Sequence, residues 1–153
     1  IMTSKDDTVL ERERLSGYEQ ALNESNIKLD ESLIKYGGTT YEAGYESMKE
    51  LLEEGIVPQA AFVTGDEAAI GAINAACDKG YKVPEDISVA GFNDVKIAKM
   101  YRPKLTTVYQ PLYDMGAVAI RMVIKLINKE HLESKKIELP YKIIERESVI
   151  PRK

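Results

Sequence analysis

The fold is decided by a stretch near the middle of the chain, residues 83–94, which reads Val83-Pro84-Glu85-Asp86-Ile87-Ser88-Val89-Ala90-Gly91-Phe92-Asn93-Asp94. Ile87–Ala90 is short and mostly apolar, as a buried strand is, and Gly91 ends it. The polar pair Asn93 and Asp94 follows at the carboxyl end of that strand. In an open α/β sheet, ligands bind outside the carboxyl ends of the strands. The stretch therefore predicts both a parallel sheet and one edge of a binding site.

Outward from this strand, short apolar runs alternate with helical patterns. The other predicted strands are Ile1–Thr3, Leu33–Tyr36, Ala60–Val63, Leu105–Tyr109, Lys136–Leu139 and Tyr141–Arg146. The predicted helices cover residues 8–25, 39–54, 66–79 and 111–128, and one or two helical turns are expected in 94–99. This order predicts an α/β fold with a mainly parallel sheet flanked by helices.

The helix starts carry recognisable caps. Thr8 with Glu11, and Thr39 with Glu42, fit the capping-box pattern, in which both side chains satisfy first-turn backbone N–H groups. Asp66 is expected to cap the third helix, a position that strongly prefers aspartate. Gly17 lies inside the first helix, where glycine is unfavourable, so close packing is expected there.

The composition is that of a globular protein and excludes several functions. The chain has 153 residues with 44% apolar and 30% charged residues, and its net charge is −4. Without a basic stripe, this chain is not expected to bind nucleic acid by itself. Cys77 is the only cysteine and lies in an apolar helical run, which predicts a buried structural thiol. His131 is the only histidine, so a histidine-dependent triad or metal cluster is not expected.

Polar groups at strand ends and helix starts form a set that could clasp a polar small molecule: Asp6, Asp7, Arg14, Thr39, Asp66, Asn93, Asp94 and Gln110. Each also has a structural interpretation, as a cap or a solvated surface residue, and for Asp66 the cap is favoured. For Arg14 the alternative is a surface helix residue that pairs with Glu11 or Asp7. No nucleophile–base pair or glycine-rich phosphate loop is visible. The sequence therefore predicts a binding module rather than an enzyme, with no cofactor.

Five segments in the right order resemble the LacI/GalR family of bacterial transcription regulators, and the run from Gln110 to Arg121 resembles catabolite control proteins within it. The segments are Arg14–Tyr18, Ala61–Ala72, Gly80–Asp94, Pro103–Gly116 and Ile144–Ser148.

The resemblance implies a homodimeric, cytoplasmic repressor whose effector domain has two periplasmic-binding-protein-like (type I) lobes joined by three crossing segments. Residues 1–109 would be the C-terminal lobe, incomplete at its start. Residues 110–140 would be a hinge crossing with a piece of the other lobe, and 141–153 a return strand. The chain begins at Ile1, so we expect a fragment. The operator-binding helix-turn-helix would lie outside it.

Carried over by position, Arg14, Asn93 and Gln110 match effector contacts. The effector would be a sugar, a sugar phosphate or a nucleobase. Asn93 replaces an aspartate of many relatives, and Thr39 stands where an aromatic platform is frequent. Asp66 matches a structural cap, although it belongs to the same polar rim.

Further positions match known contacts between proteins in this family. The region where family members dimerise corresponds to Tyr45, Ile70, Val95, Ile97, Met100 and Tyr101, with a place in the core as the alternative for Tyr45 and Ile70. Arg102 and Arg121 match positions where catabolite control proteins receive a phosphorylated carrier-protein coregulator, with a solvated charge as the alternative.

Two other functions stay open from the sequence. A secreted, periplasmic-type sugar-binding protein would have the same architecture. A phosphorelay receiver domain would fit the length and an acidic pair, Asp6 and Asp7, after a first strand.

Overall fold

The computed structural model describes residues 1–4 and 8–151. The strands are β1 (Met2–Thr3), β2 (Lys35–Tyr36), β3 (Ala60–Phe62), β4 (Ser88–Asn93), β5 (Thr106–Tyr109) and β6 (Lys142–Ile144). The helices are α1 (Val9–Glu24), α2 (Tyr41–Glu53), α3 (Asp66–Asp78), α4 (Lys96–Met100) and α5 (Leu112–Ile127), with a 3₁₀ turn at Glu31–Leu33.

The strands form a mainly parallel arrangement, which confirms the predicted α/β fold. β3, β4 and β5 pair in parallel, and β6 joins β5 antiparallel. β1 pairs with β2 in parallel, and a bridge between Met2 and Val63 connects this pair to the end of β3. The carboxyl ends of β3, β4 and β5 therefore meet at one edge, as the strand order predicts.

The core lies between this sheet and the helices α2 and α3. Its fully buried side chains include Met48, Val63, Ile73, Val89 and Leu105. Two glycines let α2 and α3 approach closely. A Cβ on Gly44 would lie 1.9 Å from the Ala68 carbonyl oxygen, and one on Gly71 would lie 2.0 Å from the Tyr41 carbonyl oxygen.

The helix caps agree with the sequence at one helix and differ at two. Thr8 caps α1 as predicted and accepts from the Glu11 N–H at 3.2 Å. The cap of α2 is Thr40, not Thr39. The cap of α3 is Gly65, so the prediction of Asp66 as the cap is wrong. Asp66 is the first residue of α3, and its carboxylate reaches across to other elements instead.

Three further predictions are wrong. Lys136–Leu139 forms no strand, because it meets no partner strand in the described ranges, and Ile137 is 51% exposed. Cys77 is exposed rather than buried, since it lies on the outer side of α3. Gly17 is not closely packed, because its Cβ would meet nothing within 4 Å. The pair Asp6 and Asp7 lies outside the described residues.

Helix α5 is apolar yet exposed along its length. None of its residues is buried, and Tyr113, Ile120, Leu126 and Ile127 each expose more than half of their surface. In the ranges that the structure describes, no helix is long and apolar enough to cross a membrane.

The Asp66 carboxylate connects three elements at the carboxyl edge of the sheet. One oxygen accepts from the Thr107 hydroxyl on β5 at 2.5 Å, and the other accepts from the Val95 N–H after β4 at 2.7 Å. Burial raises the pKa of Asp66, and the nearby charge of Asp94 raises this pKa further, while both hydrogen bonds lower it. The net direction is upward, so burial and repulsion outweigh the two bonds.

This raised pKa predicts a pH-dependent contribution to stability. The folded protein holds the Asp66 proton more tightly than the unfolded chain does. The resulting stabilisation is complete below the ordinary pKa of 3.8 and is lost as the pH rises through the raised pKa. Asp66→Asn keeps an acceptor for Val95 but does not titrate. Its free energy of unfolding relative to wild type should therefore increase from about pH 4 towards about pH 7 in urea titrations.

Asp30→Asn is the control. Hydrogen bonds from Ser32 lower the pKa of Asp30, so its stabilising contribution is present above the ordinary pKa of 3.8 and is lost as the pH falls through the lowered pKa. The stability of Asp30→Asn relative to wild type should therefore stay nearly constant from about pH 4 to about pH 7. An Asp66→Asn difference that stays constant with pH would contradict the raised pKa.

Candidate functional site

A large, mainly apolar cavity of about 1260 Å³ lies at the carboxyl ends of β3, β4 and β5. Helix α1 forms one side of it, and α5 with residues 135–143 forms another. The strands contribute Phe62, Phe92 and Val108. The cavity therefore occupies the place where the sequence predicts a binding site.

Arg14 is the main charged group at the strand ends. It lies on α1, and its Nη1 donates to the Glu11 carboxylate at 2.7 Å and to the Thr64 carbonyl oxygen at 3.3 Å. The guanidinium carbon is 4.4 Å from the centre of the Phe92 ring, which is a cation–π contact. Its Nε is buried and has no hydrogen-bond partner among the described residues. A buried unsatisfied donor of this kind is unusual and is often found at functional sites.

Glu11 holds Arg14 in place and neutralises it. The Glu11 carboxylate also accepts from the Thr3 hydroxyl and from the Ser4 N–H, so it joins α1 to the end of β1. The side chains of Arg14 and Glu11 are only 11% and 10% exposed. The cavity wall at this point is therefore a paired, rigid group with no net charge.

Two aromatic rings lie beside this pair. The rings of Phe62 and Phe92 pack edge to face, with centroids 6.2 Å apart at 77°. Because both residues line the cavity, they offer apolar ring surface to an occupant. Thr39 has no such surface, and it does not line the cavity.

Two of the five residues expected at the effector site line this cavity. Arg14 lines it from α1, and Gln110 lines it from the position just after β5. Asn93 follows Phe92 directly and ends β4, but it does not line the cavity, and neither do Thr39 and Asp66. Asp66 is 2% exposed and is engaged with Thr107 and Val95, which makes it a structural tie.

The residues expected at a dimer interface divide into exposed and buried positions. Met100 is 68% exposed and Ile97 is 39% exposed, whereas Ile70 is 5% exposed and is a core residue. Val95 is half-buried. The two tyrosines are partly covered: the Tyr45 hydroxyl donates to Asp78 at 2.9 Å, and the Tyr101 hydroxyl donates to Asn74.

The two arginines expected at a coregulator site are both exposed. The Arg102 guanidinium donates to the carbonyl oxygens of Met100 and Tyr101. Arg121 lies on the exposed helix α5. In the described ranges, no group of three or more His, Cys, Asp or Glu residues could hold a metal ion.

The sequence offered Glu11 as one possible partner of Arg14, and the structure shows this pair, although Arg14 is not the surface residue that this alternative assumed. Sequence reasoning missed the two phenylalanines of the cavity. A signal existed for Phe62 and Phe92, because both are aromatic residues at the ends of predicted parallel strands. Arg146 was also missed as a contact of Asp94, at 2.5 Å. That contact joins residues 52 positions apart, so no local sequence pattern predicts it.

Comparison with known proteins identifies the relatives of this chain. It is 44% identical over 135 residues to catabolite control protein A of Priestia megaterium, covering 88% of this chain and 41% of that protein. The crystal structure of the transcription regulator CcpA of Lactococcus lactis superposes with a TM-score of 0.89 at 40% identity, covering 97% of this chain and 54% of that one. A complex of the transcriptional regulator CelR with cellobiose gives a TM-score of 0.90 at 33% identity, covering 96% and 45%.

The chain thus spans about half the length, or less, of each of these relatives. The matches confirm the resemblance to LacI/GalR-type regulators that five sequence segments indicated. Residues 1–149 match the family model described as a periplasmic binding protein-like domain. The chain therefore belongs to the periplasmic binding protein-like domain family, and its relatives are LacI-type transcription regulators.

Proposed function

We propose that this chain is the effector-sensing and dimerising part of a LacI/GalR-type transcription regulator. Residues 1–109 form most of one lobe, 110–140 cross to the other lobe, and 141–153 return. The observation that carries the proposal is the position of Arg14, paired with Glu11 over the Phe92 ring at the carboxyl edge of a parallel sheet. This geometry suits one wall of a cleft that closes on a small molecule.

The effector would be a small polar molecule with a flat or weakly polar face. Phe62 and Phe92 offer ring surface, and Arg14 and Gln110 offer hydrogen bonds. Because Glu11 already balances the charge of Arg14, this wall favours a neutral sugar or a nucleobase over a sugar phosphate. The relative whose structure is a complex with cellobiose is consistent with such a ligand class.

The regulatory mechanism would be linkage between two shapes of the intact protein. An effector that binds the closed arrangement of two lobes more tightly than the open one shifts the population between them. Across a dimer, that shift changes the spacing of the DNA-binding heads on the operator. In this proposal the heads, the second lobe and the operator contacts lie outside the present chain.

A secreted sugar-binding protein is the second candidate, because the same architecture serves it. The relatives named above are transcription regulators, which favours the first function and a non-enzymatic, cytoplasmic role. A phosphorelay receiver finds no support, since the family match covers residues 1–149 as a periplasmic binding protein-like domain. Arg102 and Arg121 stay a proposed site for a phosphorylated carrier-protein coregulator.

Calorimetric titration of the intact regulator with cellobiose, glucose 6-phosphate and hypoxanthine tests the effector site. We expect binding of at least one compound, with a neutral one preferred. Arg14→Met should weaken that binding about tenfold to a hundredfold, because it removes hydrogen bonds from a charged donor. Arg12→Met is the matched control on the same helix, where the side chain is exposed, and should bind as wild type does. The proposal would be contradicted if the wild type bound none of the three compounds, or if Arg14→Met bound its ligand as tightly as wild type does.

The proposed dimer contact centres on the exposed side chains of Ile97 and Met100. In a two-fold dimer each substitution enters the interface twice, so a buried carboxylate is costly there. Met100→Glu should therefore weaken dimerisation at least about tenfold in sedimentation equilibrium. Val57→Glu is the control, because Val57 is comparably apolar and precedes the amino end of β3, at the opposite edge of the sheet. An unchanged dimer in Met100→Glu would exclude this surface.

A further inference from the structure

The turn that follows β4 has an unusual backbone shape. Asn93 has φ of 107° and Asp94 has φ of 52°, so two consecutive residues with side chains occupy the left-handed half of the map. Such residues are costly and persist only where surrounding contacts hold them. Phe92, immediately before this turn, lines the cavity. The contacts that hold the turn therefore also fix an element of the proposed cleft.

Two contacts reach the turn from the strand side. The Val95 N–H donates to the Asp66 carboxylate at 2.7 Å, and the Asp94 N–H lies 3.4 Å from the Thr107 hydroxyl oxygen. These two bonds hold the backbone of the turn. The first of them also places the Asp66 carboxylate near that of Asp94. Asp94 lies close enough to raise the pKa of Asp66, after the larger effect of burial. A cation paired with Asp94 would offset this repulsion between the two carboxylates.

Arg146 supplies that cation from a distant part of the chain. Its Nη2 donates to Asp94 Oδ1 at 2.5 Å, and the two side chains are only 11% and 7% exposed. The alternative cation, Lys99, is 60% exposed and lies 3.5 Å from the other oxygen, so it contributes less. The ion pair with Arg146 is thus the shielded contact of the Asp94 side chain.

Arg146 is itself held firmly to the sheet. Its backbone N–H donates to the Thr106 hydroxyl at 2.9 Å, and its Nη1 donates to the Leu105 carbonyl oxygen at 2.7 Å. It lies two residues after β6, the strand with which the cavity-wall segment 135–143 ends. Through Arg146, the segment that leaves the cavity wall is fastened to the turn that ends β4.

We propose that Arg146 is a positioning residue for effector binding, which acts by locking the Asn93–Asp94 turn to the β6 return segment. The proposal rests on the proposed function, because Phe92, the residue next to this turn, lines the proposed cleft. The lock explains how the strained backbone of Asn93 and Asp94 is held. It also means that displacement of β6 is transmitted directly to the end of β4.

The test measures backbone amide hydrogen exchange in the intact regulator, with no ligand added. Arg146→Gln should speed exchange of the Asp94 and Val95 amides at least tenfold, while the Val63 and Val89 amides of the core keep their wild-type rates. Arg146→Lys, which keeps the charge but lacks the planar fork, should restore part of the protection. The double variant Arg146→Gln with Asp94→Asn should show about the same amide exchange rates as Arg146→Gln alone, because both substitutions remove the same ion pair.

Glu147→Gln is the matched control. Glu147 lies on the same segment and pairs with Lys104, but it does not contact the turn, so exchange at Asp94 and Val95 should stay as in wild type. Unchanged exchange at those two amides in Arg146→Gln would overturn the lock. Equal acceleration at Val63 and Val89 would overturn it as well, since that shows a general structural role.

Ligand-binding measurements distinguish a failure of this proposal from a failure of the proposed function. Whichever of cellobiose, glucose 6-phosphate and hypoxanthine the wild type binds should bind Arg146→Gln at least tenfold more weakly, with partial recovery in Arg146→Lys. Wild-type affinity in Arg146→Gln overturns the positioning role even if exchange changes. If the wild type binds none of the three, the proposed function fails, and the exchange rates alone decide whether the lock exists.

Discussion

The carboxylate of Asp66 is the constraint on which the carboxyl edge of the sheet depends. It receives one hydrogen bond from β5 and one from the turn after β4, while its own residue opens α3. Three elements distant in sequence are therefore held at fixed separations by one buried group. Burial raises the pKa of Asp66 although these hydrogen bonds oppose the shift. The edge that this carboxylate joins is the edge at which the cavity lies.

A rigid wall has a functional consequence. Because Glu11 holds Arg14 against the Phe92 ring, and Arg146 holds the turn beyond Phe92, the side chains of this wall need little rearrangement on binding. Preorganisation of this kind lowers the entropic cost of binding. Most of the conformational response would then come from lobe closure and from the return segment, rather than from the residues that touch the effector.

Much of the fold could be predicted from local patterns, and the rest depended on distant contacts. The order of the main helices and strands, the cap at Thr8 and the helix from 112 to 127 follow from periodicity and from proline and glycine positions. The prediction that Gly91 ends the central strand was wrong, because β4 continues through Gly91 to Asn93 in pairing with β5. The role of Asp66 could not be predicted, because a helix-start aspartate looks the same whether it caps its helix or bonds to Thr107. Lys136–Leu139 has the alternation of a strand, but a strand also needs a partner. Of the site, Arg14 and Gln110 were predicted and Glu11 was one possible partner of Arg14, whereas the place of Phe62 and Phe92 in the cavity was not predicted.

The central claim is that the effector binds against the carboxyl edge of this sheet, between Arg14 and Gln110. Co-crystals of the intact regulator with a compound that it binds test this claim most directly. Electron density should place the ligand within hydrogen-bond distance of the Arg14 guanidinium and the Gln110 amide, with Arg14 still paired to Glu11. A ligand bound elsewhere, touching neither Arg14 nor Gln110, would contradict the account.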